Sequence, residues 1–274
     1  MDIKYHFLNN FVGVDFETDN VERDIAEVIE EGVCALDPVK CNWSDVRAQL
    51  YNNTNDTVAP YVSCVNNITK EMIEGMSKYE FDSSAISTFS DKILLSHNSI
   101  YETTVIKRYM PDQKSIDEIT ARWFCTYRMA RKLFGNDQTF ENLQLSYLRY
   151  RLNLRPVLAD VPHRAGYDAH VTSLLFEYIV DTLVSNGTLS PVEAVDETNV
   201  FETWFTQLIN WYESPIKIET MPFGKHKGDK LEDVPESYWK WALSNVDLLD
   251  ETNPDYDSDF ADSVYDLLSK KLGV

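Results

Sequence analysis

Phe11-Val-Gly-Val-Asp15-Phe16-Glu17-Thr18 runs apolar for four residues and then presents carboxylates at alternate positions. A short apolar run ending on a charged residue is the pattern of a buried strand with a polar C-terminal end. Residues two apart on a strand share a face, so Asp15 and Glu17 converge while Phe16 points into the core. Hard divalent cations such as Mg²⁺ and Mn²⁺ take oxygen donors of this kind. In a chain with 45 acidic residues the spacing alone is common, and a solvated loop pair is its other reading. The weight comes from what surrounds it.

Further strands are expected at 28–36 and 46–51, joined by a turn at Asp37-Pro38, which gives the sheet an antiparallel opening. Helical patterning follows at 69–76 and 83–92. Ile93-Leu-Leu95 reads as a strand running into Ser96-His97-Asn98, and a helix over 102–109 stops before Pro111. A strand at 123–126, helices at 127–134 and 140–151, and a long apolar helix at 165–185 complete the first part of the chain. Strands followed by alternating strands and helices predict an α/β domain with a mixed sheet flanked by helices, its polar residues gathered at strand ends. The stretch 187–199 is polar and reads as a linker. Beyond it lie a helix at 201–212, a small α+β unit opening on Met221-Pro-Phe-Gly-Lys-His-Lys-Gly228, and an acidic loop at 247–262. The expected division is 1–190 and 191–274.

A chain of 274 residues, 43% apolar and 12% aromatic, has enough apolar mass for a sizeable core. No run approaches the roughly 18 to 20 apolar residues of a membrane span, and MDIKYHFLNN lacks the pattern of a secretory signal, so a cytoplasmic protein with no membrane partner is expected. Cys34, Cys41, Cys64 and Cys125 form no CxxC pair and read as buried thiols. The net charge of −20 argues against an overall basic, nucleic-acid-binding surface. Residues 102–164, however, hold eleven Lys/Arg against seven Asp/Glu. That stretch is the candidate phosphate-contacting face, a solvated helical surface being the alternative.

Two more clusters carry chemistry. In His163-Arg-Ala-Gly-Tyr-Asp168-Ala-His, Asp168 falls in the first turn of the long helix and His163 just before it, which supplies a third carboxylate and a nearby base. In Leu95-Ser-His-Asn98-Ser-Ile-Tyr-Glu102, an acid sits on the first turn of a helix that follows a strand, where the helix dipole favours it in any case. The turn Gly224-Lys-His-Lys-Gly228 suits close approach to phosphate but is not a P-loop. Tyr238, Trp239 and Trp241 read as core aromatics, with base stacking the alternative.

Asp15-Phe-Glu17-Thr18, Ser96-His-Asn-Ser-Ile-Tyr-Glu102 and His163-Arg-Ala-Gly-Tyr-Asp168-Ala169 resemble, in order and spacing, the three motifs of the DEDDh exonucleases. The resemblance covers roughly residues 10–185. The segments beginning Trp123-Phe-Cys and Phe223-Gly-Lys look like parts of one member of that family. The resemblance implies a ribonuclease H-like fold and removal of 5′-mononucleotides from DNA 3′ ends with two Mg²⁺ or Mn²⁺ ions per site. Asp15, Glu17 and Asp168 would hold the first ion. Asp15 would also touch the second, Glu102 would stand near it, and His163 would act as general base. Phe16, Thr18 and Asn98 are then expected to meet the terminal nucleotide, and Lys225 and Lys227 the substrate. Three departures stand out: Glu102 where the family has aspartate, Asn20 for a frequent glycine, and Asn66 for a frequent histidine. An exoribonuclease and a non-catalytic end-binding module are the other functional readings, and the oligomeric state is left open.

Overall fold

The computed structural model describes residues 3–158, 161–190, 197–251 and 257–272. The chain forms two compact units. The first comprises Met1–Met129 and Gln144–Trp211, and the second comprises Ala130–Leu143 and Tyr212–Val274. The helix expected at 201–212 is observed as part of Glu197–Glu213, and its first fifteen residues fall in the first unit.

Five strands make one sheet in the first unit: β1 (Phe11–Thr18), β2 (Val28–Asp37), β3 (Asn42–Leu50), β4 (Ile93–Ser96) and β5 (Trp123–Cys125), in the order β3-β2-β1-β4-β5. β1 pairs antiparallel with β2, and β2 with β3, whereas β4 is parallel to both β1 and β5. The β1–β4 ladder ends at Gly13 and Leu95, so Asp15 and Glu17 lie beyond it. A cleft at the C-terminal ends of parallel strands is where open sheets commonly place their sites.

The two faces of β1 have different fates. Val12, Val14 and Phe16 enter an apolar core with Val33, Leu94, Val105, Ile106, Tyr79 and Trp123. The other face carries Gly13, Asp15 and Glu17, opposite Cys34, Gly32 and Glu30 of β2. On this face lies the 21-residue helix Ala165–Ser185. Its contact is backbone to backbone. A Cβ on Gly13 would stand 2.4 Å from the Ala169 carbonyl oxygen, and one on Gly32 would stand 2.1 Å from that of Ala165. Both neighbours are main chain, so they yield only if the helix itself moves. Gly32→Ala should therefore push the helix N-terminus off the sheet, at a cost on the order of 1–3 kcal/mol, and carry Asp168 away from Glu17. Thermal melts on this variant should show the loss.

Several local expectations are corrected. Residues 83–92 form the 3₁₀ turns Phe81–Ser83 and Ala85–Phe89 rather than an α-helix. The hydroxyls of Ser83, Ser87 and Thr88 donate to nearby carbonyls, which competes with helical pairing. The helix Gln113–Thr120 was not anticipated; Asp112 caps it by accepting from the Ser115 N–H at 2.8 Å. The expected helix at 140–151 begins only at Leu145, because Asp137 turns the chain through the Thr139 N–H and Phe140 stacks on Phe134. Cys34 and Cys125 are buried as expected, but Cys41 is only partly covered and Cys64 is exposed. Part of the acidic stretch 247–262 lies in the 3₁₀ turn Asp247–Leu249 and the helix Ser258–Leu272, while 252–256 fall outside the described residues.

The second unit has its own core of Ile216, Ile218, Met221, Leu231, Val234, Trp239, Phe260 and Val264. Its described β pairing is the single bridge Thr220–Lys230. Residues 130–143 belong here because Arg131 pairs with Asp257 at 2.7 Å and Asn136 bonds both the Lys217 carbonyl and the Glu219 N–H. The basic stretch 102–164 is thus divided between units rather than forming one face. Among the described residues, no helix is long and apolar enough to cross a membrane.

Candidate active site

Three elements bring the acids together. β1 carries Asp15 and Glu17, the helix Ser99–Ile106 carries Glu102 in its first turn, and the helix Ala165–Ser185 carries Asp168 in its first turn. Ligand atoms of Glu17, His163 and Asp168 all lie within 4.8 Å of one another. His163 sits on an exposed turn with φ of 59°, and its backbone N–H donates to Asp168 Oδ2 at 2.8 Å. That bond uses the main chain and fixes the carboxylate, leaving the imidazole to the cleft.

The electrostatics are those of acids forced together. Burial first, and then Asp168, Glu17, Glu102 and Glu30, hold the Asp15 carboxyl well above its ordinary range. Burial and Asp168 raise Glu17 to about 8 against a counteracting bond from the Asn66 amide. Burial lifts Asp168 to about 7, opposed by the His163 N–H. Glu102 is only 3% exposed and is raised by burial to about 8. Its Oε2 is buried without a hydrogen-bond partner. An orphaned acid oxygen on Glu102, repelled by Glu17 and Asp15, belongs to a donor set that a hard divalent cation satisfies, and these residues fit one.

A stability consequence follows. Groups whose folded pKa exceeds the ordinary 3.8 or 4.5 make the folded chain bind more protons than the unfolded one. Their stabilisation is complete below the ordinary values and is lost as pH rises through 7 and 8. The metal-free chain should melt at a higher temperature at pH 5 than at pH 8.5. If the acids hold a cation, Mn²⁺ should raise the Tm far more at the higher pH, where binding would displace no protons.

Beside the acids is a cavity of about 540 Å³ lined by His97, Asn98, Tyr127, Leu145, His163 and Asp168. Its size is in the range of small-ligand pockets. Asn98, the N-cap of the helix Ser99–Ile106, has a φ of 78°, and His97 Nδ1 lies 3.1 Å from the Thr126 hydroxyl. Thr18 is nearly buried. Its hydroxyl donates to the Asn20 carbonyl at 2.7 Å and shares a short hydrogen bond with the Tyr101 hydroxyl. The Phe16 side chain is 4% exposed and packs against Tyr79 and Trp123 on the opposite face, so any substrate contact at this position falls to its backbone. Lys225 and Lys227 belong to the second unit.

Sequence reasoning passed over Glu30 and the role of Arg164. Glu30 is 1% exposed and stands directly opposite Glu17. It accepts from Arg164 Nε at 3.0 and 3.2 Å, with a closer contact to Nη2, and from the Ala165 N–H at 2.8 Å. It therefore ties the start of the Asp168 helix to the sheet, and the positive end of that helix dipole faces the acids. The signal was present in Glu30-Glu31-Gly32, whose alternation places Glu30 and Gly32 on the face of Asp15 and Glu17.

A mixed sheet of this order, with acids at the end of its central strand and a long helix across one face, defines a ribonuclease H-like fold of the exonuclease type. The comparisons agree. Exodeoxyribonuclease 10 (exonuclease X) of Escherichia coli is 22% identical over 195 residues, covering 70% of this chain and 74% of that protein. The 3′-5′ exonuclease DinG of Bacillus subtilis is 26% identical over 189 residues, 63% of this chain and 18% of DinG. E. coli exonuclease I, solved with a dA16 oligonucleotide, shares the fold with a TM-score of 0.51 at 14% identity, covering 73% of this chain and 45% of its own. A family model described as "Putative quorum-sensing-regulated virulence factor" matches residues 214–245. The resemblance to DEDDh exonucleases, exodeoxyribonuclease X among them, is thereby borne out.

Proposed function

We propose that the chain is a metal-dependent 3′→5′ exodeoxyribonuclease, acting in the cytoplasm, that hydrolyses the terminal phosphodiester of DNA and releases 5′-mononucleotides. The observation that carries this reading is the grouping of Glu17, Asp168 and His163 ligand atoms within 4.8 Å of one another, with Asp15 interacting electrostatically with Glu17, Asp168 and Glu102, beside a cavity of about 540 Å³. That its named relatives are exonucleases supports it.

Two divalent cations, Mg²⁺ or Mn²⁺, would supply Lewis-acid polarisation of the scissile phosphate and stabilise the attacking and leaving oxygens. Asp15, Glu17 and Asp168 would hold the first, and Asp15 and Glu102 would stand by the second. The His163 imidazole, on its exposed turn, takes the proton of the attacking water. Attack at phosphorus breaks the bond to the 3′ oxygen of the penultimate nucleotide, and the phosphate leaves on the 5′ carbon of the released one. Asn98 at the cavity wall and the Thr18–Tyr101 pair beside the acids hold the terminal sugar and base.

Glu102 is one methylene longer than the family's aspartate. Its place on the first turn of a helix, with one oxygen unpartnered, makes Glu102→Asp a probe of that length. Equal or higher turnover is expected for the variant, and a large loss would mean that the site is built around the longer side chain. The substrate assignment is tested with matched DNA and RNA oligonucleotides in Mn²⁺. Faster release from DNA supports it, and faster release from RNA reassigns the enzyme to RNA.

A further inference from the structure

The second unit is acidic: Tyr212–Val274 holds fourteen Asp/Glu against seven Lys. Its cations are mostly spent. Lys217 pairs with Glu219 at 3.1 Å, Lys230 with Glu232 at 3.8 Å, Lys240 with Glu236 at 2.7 Å, Lys270 with Asp266 at 2.5 Å, and Arg131 with Asp257 at 2.7 Å. Lys132 and Lys271 donate to main-chain carbonyls. Among the described residues, Lys225 and Lys227 are exposed and have no carboxylate or carbonyl partner. They lie in one turn whose ends, Gly224 and Gly228, have φ of 67° and 88°, a conformation that strains other residues. His226 fastens the turn through Asp229 at 2.9 Å and packs on Tyr238 with ring centres 4.7 Å apart.

Beside this turn is an aromatic face. Lys225 Nζ stands 5.3 Å from the Tyr238 ring centre, and Trp241 lies 5.3 Å from Tyr238 on the same helix. Tyr238 and Trp239 are buried, but Trp241 is 51% exposed. The expectation of core aromatics thus holds for two of the three.

We infer that this surface docks single-stranded nucleic acid, with Trp241 stacking on a base and Lys225 and Lys227 contacting flanking phosphates. The inference rests on the exonuclease reading and names the form of substrate that the second unit holds. Alternating π-faces and phosphates match an aromatic platform flanked by cations. A duplex keeps its base faces stacked internally and does not offer them.

The test uses the full-length chain in metal-free buffer and a 5′-fluorescent dT20, with binding followed by anisotropy. Trp241→Ala should weaken binding about tenfold, the loss of one stacked base, while Trp241→Phe recovers most of it. An abasic oligonucleotide of equal length should bind the wild type at least as weakly as dT20 binds Trp241→Ala. The double variant Lys225→Ala/Lys227→Ala should reduce the slope of log affinity against log salt by about 1.4. Wild-type affinity in Trp241→Ala, abasic binding equal to dT20, or an unchanged salt slope would each overturn the inference. Wild-type release of mononucleotides from the same dT20 in Mn²⁺ keeps the exonuclease reading intact in those cases, and its failure would count against that reading separately.

Discussion

Asp15→Asn should abolish nucleotide release, lowering turnover at least ~10³-fold, without destabilising the metal-free chain. Asp15 stands on the central strand, and burial together with Asp168, Glu17, Glu102 and Glu30 raises its carboxyl. Asparagine keeps the shape but removes a negative donor that both proposed ion positions share. It also removes a repelling charge, so at pH 8.5 the metal-free variant should melt at or above the wild-type temperature. Its Tm should respond weakly to Mn²⁺. An inactive variant that melts well below wild type would instead mean that activity was lost by unfolding, so nucleotide release and thermal melts are read together.

The second large effect is expected at His163. Replacing a general base lowers turnover by ~10²- to 10⁴-fold, but the substitution has to respect the backbone. With φ at 59°, an alanine would be strained, whereas asparagine adopts this region readily. His163→Asn keeps the N–H that fixes Asp168 Oδ2. It should therefore lose turnover in this range with little change in KM or in Mn²⁺ binding. A loss under tenfold would place the base elsewhere.

The readable parts of this molecule were those set by local period. Alternation along β1 placed Asp15 and Glu17 on one face and Phe16 on the other, and the apolar run at 165–185 marked the helix that delivers Asp168. The unread parts depend on contacts between distant segments. Glu30 looked like one acid among 45 until the register set it against Glu17 and Arg164. The allocation of 130–143 to the second unit rests on Arg131 and Asn136 meeting residues more than 80 positions away. The 3₁₀ turns near residue 85 come from serine hydroxyls that a hydrophobic period does not register.

Gly13 and Gly32 each provide the absence of a side chain where the Asp168 helix rests on the sheet. The acids meet because the helix can come this close. Catalytic geometry and packing here share the same two residues.

The most direct test follows a 5′-labelled single-stranded DNA on a denaturing gel after addition of the purified chain and Mn²⁺, with the released product identified by mass. A ladder shortening stepwise from the 3′ end, 5′-mononucleotide as the product, arrest at a 3′ phosphorothioate, and no shortening with Asp15→Asn are the predicted results. Shortening from the 5′ end, internal cuts, or equal activity in wild type and Asp15→Asn would contradict the assignment of this carboxylate cluster as a 3′→5′ exonuclease site.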